Sequence, residues 1–284
     1  MKKSLHPVLP VNKLFLQEVL QMKKISVPWF AGSIAAWDML FDIPVPRVIR
    51  DICYKKEVTP LETAIGFAVV GIIFGAVLAL FNGILICSWI NRYVAAGIFA
   101  VAAAFLCELK DSARGLRLLI SAVSRKIGGS DWSDCVLEAS ASDHSFEKTS
   151  GSMPGLLIVL LELLCFAALG YTRNAFWCVA VFAGACTIQM LFATLPRTLG
   201  QDPFLCIPAG KRLSMWYLPI AVGCVLIFFY PAAGIVAAAL VGGLGQMIHK
   251  DFILTSTPVT ADVITLIGKI TELVLLFCGL LFVL

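Results

Sequence analysis

Seven apolar stretches, at 62–89, 92–107, 153–172, 174–195, 213–230, 231–249 and 262–284, dominate this chain of 284 residues. A helix needs about 20 apolar residues to cross the hydrocarbon core of a bilayer. No water is available there, so each segment must satisfy its own backbone hydrogen bonds, which favours helices. Hydrophobic residues make up 60% of the chain and charged residues 14%, against roughly 45–50% and ~25% in soluble domains. The expected fold class is therefore an all-α integral membrane protein, a polytopic bundle of about seven transmembrane helices plus interfacial amphipathic helices. Proline breaks helices, so Tyr230-Pro231 marks a turn between two of the runs.

Lysine and arginine placement orients the bundle, because cytoplasmic loops retain them. Nine precede the first run, six fall in 108–152, three in 196–212 and one in 250–261. The alternate connections carry only Arg92 and Arg173, and Lys269 lies inside the final run. The chain thus reads as integral to the cytoplasmic (inner) membrane, with a cytoplasmic N-terminus and an extracytoplasmic C-terminus. Residues 1–60 form a cytoplasmic amphipathic or interfacial segment, and 61–284 form the transmembrane domain with cytoplasmic loop 108–152. Residues 1–24 lack the apolar core of a signal peptide ahead of their charges.

Two stretches have the composition of membrane-surface helices. Residues 13–24 put Phe15, Val19 and Met22 on one face, and 111–126 mix Leu116, Leu118, Leu119, Ile120 and Val123 with four cations. Asp38 and Asp42 argue against a span at 26–45, which reads as a half-inserted segment ending at Ile43-Pro44-Val45-Pro46-Arg47. The 10 cysteines lie mostly inside apolar runs and form no Cys-x-x-Cys pair, so they read as small buried hydrophobes. His6, His144 and His249 have no neighbours at metal-ligand spacing. No Gly-rich phosphate loop, nucleophile elbow or basic nucleic-acid surface appears.

Chemistry concentrates where the second run ends, at Phe105-Leu106-Cys107-Glu108-Leu109-Lys110-Asp111-Ser112-Ala113-Arg114-Gly115. Positions i, i+4 and i+7 share a helix face, and that face presents Cys107, Asp111 and Arg114. Arginine cannot ligate a metal but grips phosphate with two parallel hydrogen bonds. The arrangement suits a phosphate-bearing ligand held by Arg114 and Lys110, with one metal at most through Asp111. A solvated cluster facing lipid phosphates is the plainer alternative. Glu162 and Glu272 lie deep in apolar runs, where an acid is costly and marks function by default. Lys269 sits one turn from Glu272, within reach of an i, i+3 pair.

The order of these segments resembles the cobalamin synthase family, the adenosylcobinamide-GDP ribazoletransferases. Phe41-Asp42-Ile43-Pro44-Val45-Pro46-Arg47, followed by Val70-Gly71-Ile72-Ile73-Phe74-Gly75, is similar to the family's LPVP-type opening and glycine-containing first span. The family's acidic motif H-L-D-G-L-A-D-x-x-D-G falls on 105–115, where Asp111 and Gly115 match while Cys107, Lys110 and Arg114 depart from it. Asp143 and Gly151 match a later D-S-R-x-G-x-x-G-like stretch. Residues 260–273 align with T-G-D-x-x-G-A-x-x-E-x-x-E-L, retaining Asp262 and Glu272 and carrying Lys269 in place of a glutamate. The family usually carries a lysine near Glu162, so the resemblance implies a sign-swapped structural ion pair between Glu162 and Lys269.

The resemblance further implies a transferase that joins a GDP-activated corrinoid to alpha-ribazole or its phosphate and releases GMP. It assigns Asp111, Asp143, Asp262 and Glu272 as catalytic acids, Lys110 and Arg114 as phosphate-binding cations, and Asp111 and Asp262 as Mg2+ ligands. It places Asp111, Asp143 and Asp262 around one cytoplasmic-side cavity. The implied partners are the corrinoid nucleotide, alpha-ribazole and membrane lipid, with homo-oligomerisation left open and no nucleic acid. Two alternatives stand beside it: a non-catalytic relative that binds corrinoid or scaffolds a membrane complex, and a secondary transporter. The transporter is disfavoured by the lack of an internal repeat. Orientation is open to direct test. A reporter that is active only in the cytoplasm, fused after Leu284, is expected to stay silent, and a signal from it would overturn the seven-span arrangement.

Overall fold

The computed structural model describes residues 28–47, 49, 58–127, 153–194, 217–254 and 260–282. Nine helices make up the fold among them: α1 Pro28–Leu40, α2 Pro60–Cys87, α3 Arg92–Lys110, α4 Arg114–Ile127, α5 Met153–Thr172, α6 Trp177–Ala193, α7 Tyr217–Phe229, α8 Pro231–Leu254 and α9 Ala261–Phe282. No strand occurs among the described residues. Among the described residues the fold is all-helical, and its long apolar helices are those of a membrane protein. Four helices (α2, α3, α5 and α9) are long and apolar enough to cross a bilayer, while the apolar parts of α6, α7 and α8 are shorter. The surface helix expected at 13–24 lies outside the described residues.

Helix starts follow local chemistry. Pro60 occupies the first turn of α2, where a missing N–H costs nothing. Thr59 and Glu62 close a reciprocal capping box: the Glu62 N–H donates to Thr59 Oγ1 at 3.3 Å and the Thr59 N–H to Glu62 Oε2 at 2.9 Å. Asn91 caps α3 by accepting the Tyr93 N–H at 2.9 Å. Thr260 accepts the Val263 N–H at the start of α9, and Asp262 places negative charge in that first turn. Pro231 opens α8 directly after Tyr230, at the turn expected from the sequence.

Large apolar side chains run in helical register along outer faces. On α2 they are Ile73, Val77, Leu80 and Ile84, and on α3 Val94, Ile98, Val101, Phe105 and Leu109, all exposed. Stripes of that size on a lone chain need an apolar solvent. At one end of the bundle Trp89 and Tyr93 are exposed, Tyr93 stacks on Tyr171 at 5.2 Å, and the Arg92 guanidinium lies 4.0 Å from the Tyr171 ring centre. Aromatic rings with a polar edge collect at the membrane–water boundary. Of the cysteines, Cys165, Cys178, Cys186 and Cys278 are buried as small hydrophobes, whereas Cys87 and Cys224 face outward.

Lipid offers no hydrophobic drive for helix association, so close backbone approach matters. Gly71 and Gly75 lie one turn apart on α2. A Cβ at Gly71 would run into the Phe182 carbonyl, and one at Gly75 into the Val179 backbone, both on α6. Gly66 makes the equivalent approach to Gly32, bringing α1 against α2. Of the region read as half-inserted, residues 28–45 are thus a short helix docked on the bundle, ending in a segment tied down by the Trp37 indole N–H, which donates to the Ile43 carbonyl at 2.8 Å. Substituting Gly75→Val should overpack the α2–α6 seam by about 1–3 kcal/mol. Gly97→Ala, whose added Cβ meets nothing within 4 Å, should be neutral. The monodisperse fraction after detergent extraction and its melting temperature measure both.

Candidate functional site

Helix α3 runs through Lys110, three residues beyond the apolar run at 92–107. Glu108 and Lys110 therefore belong to the helix and not to the loop expected from 108 onward. Phe105 and Leu109 face outward while Ala103, Cys107 and Lys110 are buried, as a 3.6-residue period requires. The turn from α3 into α4 places two consecutive non-glycine residues in the left-handed region, Ser112 at φ 53° and Ala113 at φ 59°. Such backbone costs of order 1–2 kcal/mol per residue. The Ala113 N–H donates to the Glu108 carbonyl at 2.6 Å and the Arg114 N–H to the Asp111 carbonyl at 3.0 Å, closing the turn.

Lys110 points into the bundle. Its ammonium pairs with Glu272 of α9, and both side chains are almost fully buried. It also lies 5.0 Å from the Phe182 ring centre and 5.7 Å from that of Phe74, a geometry in which the ring faces attract a cation. The backbone carbonyl of Lys110 accepts the Asp42 N–H at 2.7 Å. Phe41 contacts Phe74 at 5.5 Å between ring centres, and Phe74 contacts Phe182 at 4.8 Å. The segments 41–47, 70–75, 105–115 and 262–272, far apart in sequence, thus meet around one lysine.

Lys269 sits deeper, with its side chain 3% exposed. Its ammonium lies 2.9 Å from Glu162 Oε1 and 3.1 Å from Oε2. It also pairs with Glu108 and lies 3.9 Å from Glu272 Oε2. Glu162 is nine residues into α5 and, at 1.5 Å per residue, stands about 14 Å along it, near the middle of a bilayer. The pairing expected between Glu162 and Lys269 is therefore one edge of a larger network spanning α3, α5 and α9. Glu108 was missed because a charge at the end of an apolar run reads as the start of a loop. Its place four residues after Ala104 and two before Lys110, on a helix extended through Lys110, was the available signal.

At the mouth of the network Arg114 pairs with Asp262; their side chains are 43% and 21% exposed. Asp111 is buried and accepts the Gly115 N–H at Oδ2, 3.1 Å away. Burial pushes its carboxyl above the ordinary range against the opposing pull of Lys110. Gly115 is needed here, since a Cβ would lie 2.8 Å from Asp111 Oδ2 and 3.2 Å from Lys269 Cβ. Helix α4 buries Leu118, Leu119, Ile120 and Ala122 and packs on α9 and α5. The amphipathic face read at 111–126 is thus covered by protein. Asp143 lies outside the described residues.

The carboxylates Asp111 and Asp262, implied as Mg2+ ligands, are engaged by a backbone N–H and a guanidinium. Among the described residues no three His, Cys, Asp or Glu side chains gather to hold a metal ion. Mg2+ requires several free oxygens in octahedral array, whereas Asp262 faces Arg114 and Asp111 accepts a backbone N–H, with no third acid gathered beside them among the described residues. This donor set does not fit Mg2+. A cavity of about 200 Å³ is lined by Met39, Phe67, Gln189, Ile264 and Thr265 among others, and by none of the network's charged residues. A larger one, of about 340 Å³ between α6, α7, α8 and α9, is lined by no charged residue.

No protein-family model, curated protein or solved structure matches the chain.

Removing the central cation should be costly. Lys269→Met strips three carboxylates of their shared partner, and breaking a buried pair costs on the order of 3–5 kcal/mol. Glu162→Lys alone should lower folded yield. Combining it with Lys269→Glu should restore only part of that yield, because the new carboxylate would stand against Glu108 and Glu272. Full recovery would reduce the network to a simple pair, and no recovery would remove the pair from it. Fluorescence-detected size exclusion reads both.

Proposed function

We propose that this chain is a membrane-embedded transferase of the cobalamin synthase kind, joining adenosylcobinamide-GDP to alpha-ribazole or its phosphate with loss of GMP. One observation supports this reading: four of the five segments that carry the resemblance converge around Lys110, the fifth, 143–151, lying outside the described residues. Displacement at phosphorus needs negative charge on the diphosphate to be offset. Arg114 is the half-exposed cation at the mouth, and its planar fork suits two phosphate oxygens. In this reading an incoming diphosphate competes with Asp262 for Arg114, while Lys110 and Lys269 hold the floor of the site rigid. The helices cross the membrane seven times, with the α3–α4 end cytoplasmic.

A second reading draws on a different observation. The acids at 108, 162, 262 and 272 are each met by a lysine or arginine of the chain itself. Such self-neutralisation suits a non-catalytic relative that binds the corrinoid nucleotide or organises a membrane complex. One assay separates the two. Purified protein is given adenosylcobinamide-GDP and alpha-ribazole with and without Mg2+, and both ligand binding and GMP release are followed. The transferase reading expects release, falling about tenfold to a hundredfold in Arg114→Gln through loss of charge-assisted hydrogen bonds. Binding without release selects the second reading, and neither binding nor release ends the transferase and the corrinoid-binding readings alike.

A further inference from the structure

Among the described residues the buried network does not balance. Three glutamates, Glu108, Glu162 and Glu272, share two lysines, Lys110 and Lys269. Lys110 is committed to Glu272. Lys269 meets both oxygens of Glu162, and both of those side chains are 3% exposed. Glu108 has only one oxygen on Lys269, and its Oε2 is buried with no hydrogen-bond partner. Arg114, at the mouth, is paired with Asp262. Asp111 adds a further acid on the same side and draws on a backbone N–H.

An uncompensated carboxylate in a low-dielectric interior is more stable as the neutral acid than as a buried charge. Of the three glutamates, Glu108 is the one with access to the outside. Its side chain is 21% exposed, against 5% or less for the other two. It also lies at the end of α3, one turn from the strained Ser112-Ala113 turn. We propose that Glu108 is a proton-binding site, at which the network holds one exchangeable proton and exchanges it through the α3–α4 turn. The groups facing it are Lys269 and Glu272 from α9, Glu162 from α5, and Cys107, Lys110 and Asp111 from its own end of α3. Lys110 and Lys269 are the cations of this group, and Glu162, Glu272 and Asp111 its other acids. The site does not depend on whether a phosphate-bearing ligand is turned over.

Infrared difference spectroscopy on the full chain in lipid nanodiscs tests this, with pH stepped across neutrality in light and heavy water. The expected result is a deuterium-sensitive protonated-carboxyl band in the wild type that fades as pH rises. That band should vanish in Glu108→Gln, shift in Glu108→Asp, and survive in Glu162→Gln. Glu108→Gln copies the neutral acid and should melt within a few degrees of wild type. If it does not fold, the shift in Glu108→Asp decides. No such band, an unchanged band in Glu108→Asp, or its survival in a folded Glu108→Gln overturns the proposal. So does displacement of the band by Na+ at constant pH, which would make the site one for a metal cation.

Discussion

An ammonium buried inside a membrane helix is the constraint on which the rest of this structure depends. Lys269 stands eight residues into α9, about 12 Å along it. Hydrocarbon cannot solvate it, and its side chain is too deep to be left without partners. The partners come from two other spanning helices, Glu108 on α3 and Glu162 on α5. Helix α9 thereby fixes the relative depth and rotation of both. A second rivet, Lys110 on Glu272, links α3 to α9 within the same turn of each helix. Five ionisable groups joined in this way leave little freedom for helices to slide or rotate.

Glycine contacts hold the other side of the bundle. Helix α2 brings Gly66 to α1 and Gly71 and Gly75 to α6. Helix α6 in turn packs on α9, where the Trp177 indole N–H donates to the Leu275 carbonyl at 2.8 Å and the ring fills the space above Gly279. Helix α9 is therefore clamped electrostatically on one face and by tight packing on the other. Outward faces are left to large aliphatics that meet lipid tails.

Hydropathy alone exposes most of this architecture, because burial in lipid demands long apolar runs and the chain obeys that demand. The Glu162–Lys269 contact was legible for a related reason: each charge interrupts an apolar run, and opposite charges at such depth need one another. Glu108 and Lys110 were harder to place. At the end of a run, a charge signals either departure from the membrane or a buried partner elsewhere, and local sequence does not separate the two. What separates them is the tertiary position of Glu272 and Lys269, more than 150 residues away in the chain. The turn at Ser112-Ala113 was also hidden, since neither residue type advertises a left-handed backbone. Gly115 was visible as part of a motif, but its reason, the closeness of Asp111 and Lys269, appears only in three dimensions.

The order in which these charges occur along the chain has a consequence for biogenesis. Glu108, Lys110 and Glu162 are synthesised first, and their partners Lys269 and Glu272 follow between 107 and 162 residues later. Helices α3 and α5 must therefore enter the membrane carrying ionisable groups whose partners do not yet exist. During that interval each unpaired charge costs its helix roughly 2.5–3.5 kcal/mol in lipid. Insertion of α9 supplies the missing charges at once. A chain that ended before α9 would keep intramembrane acids without their partners.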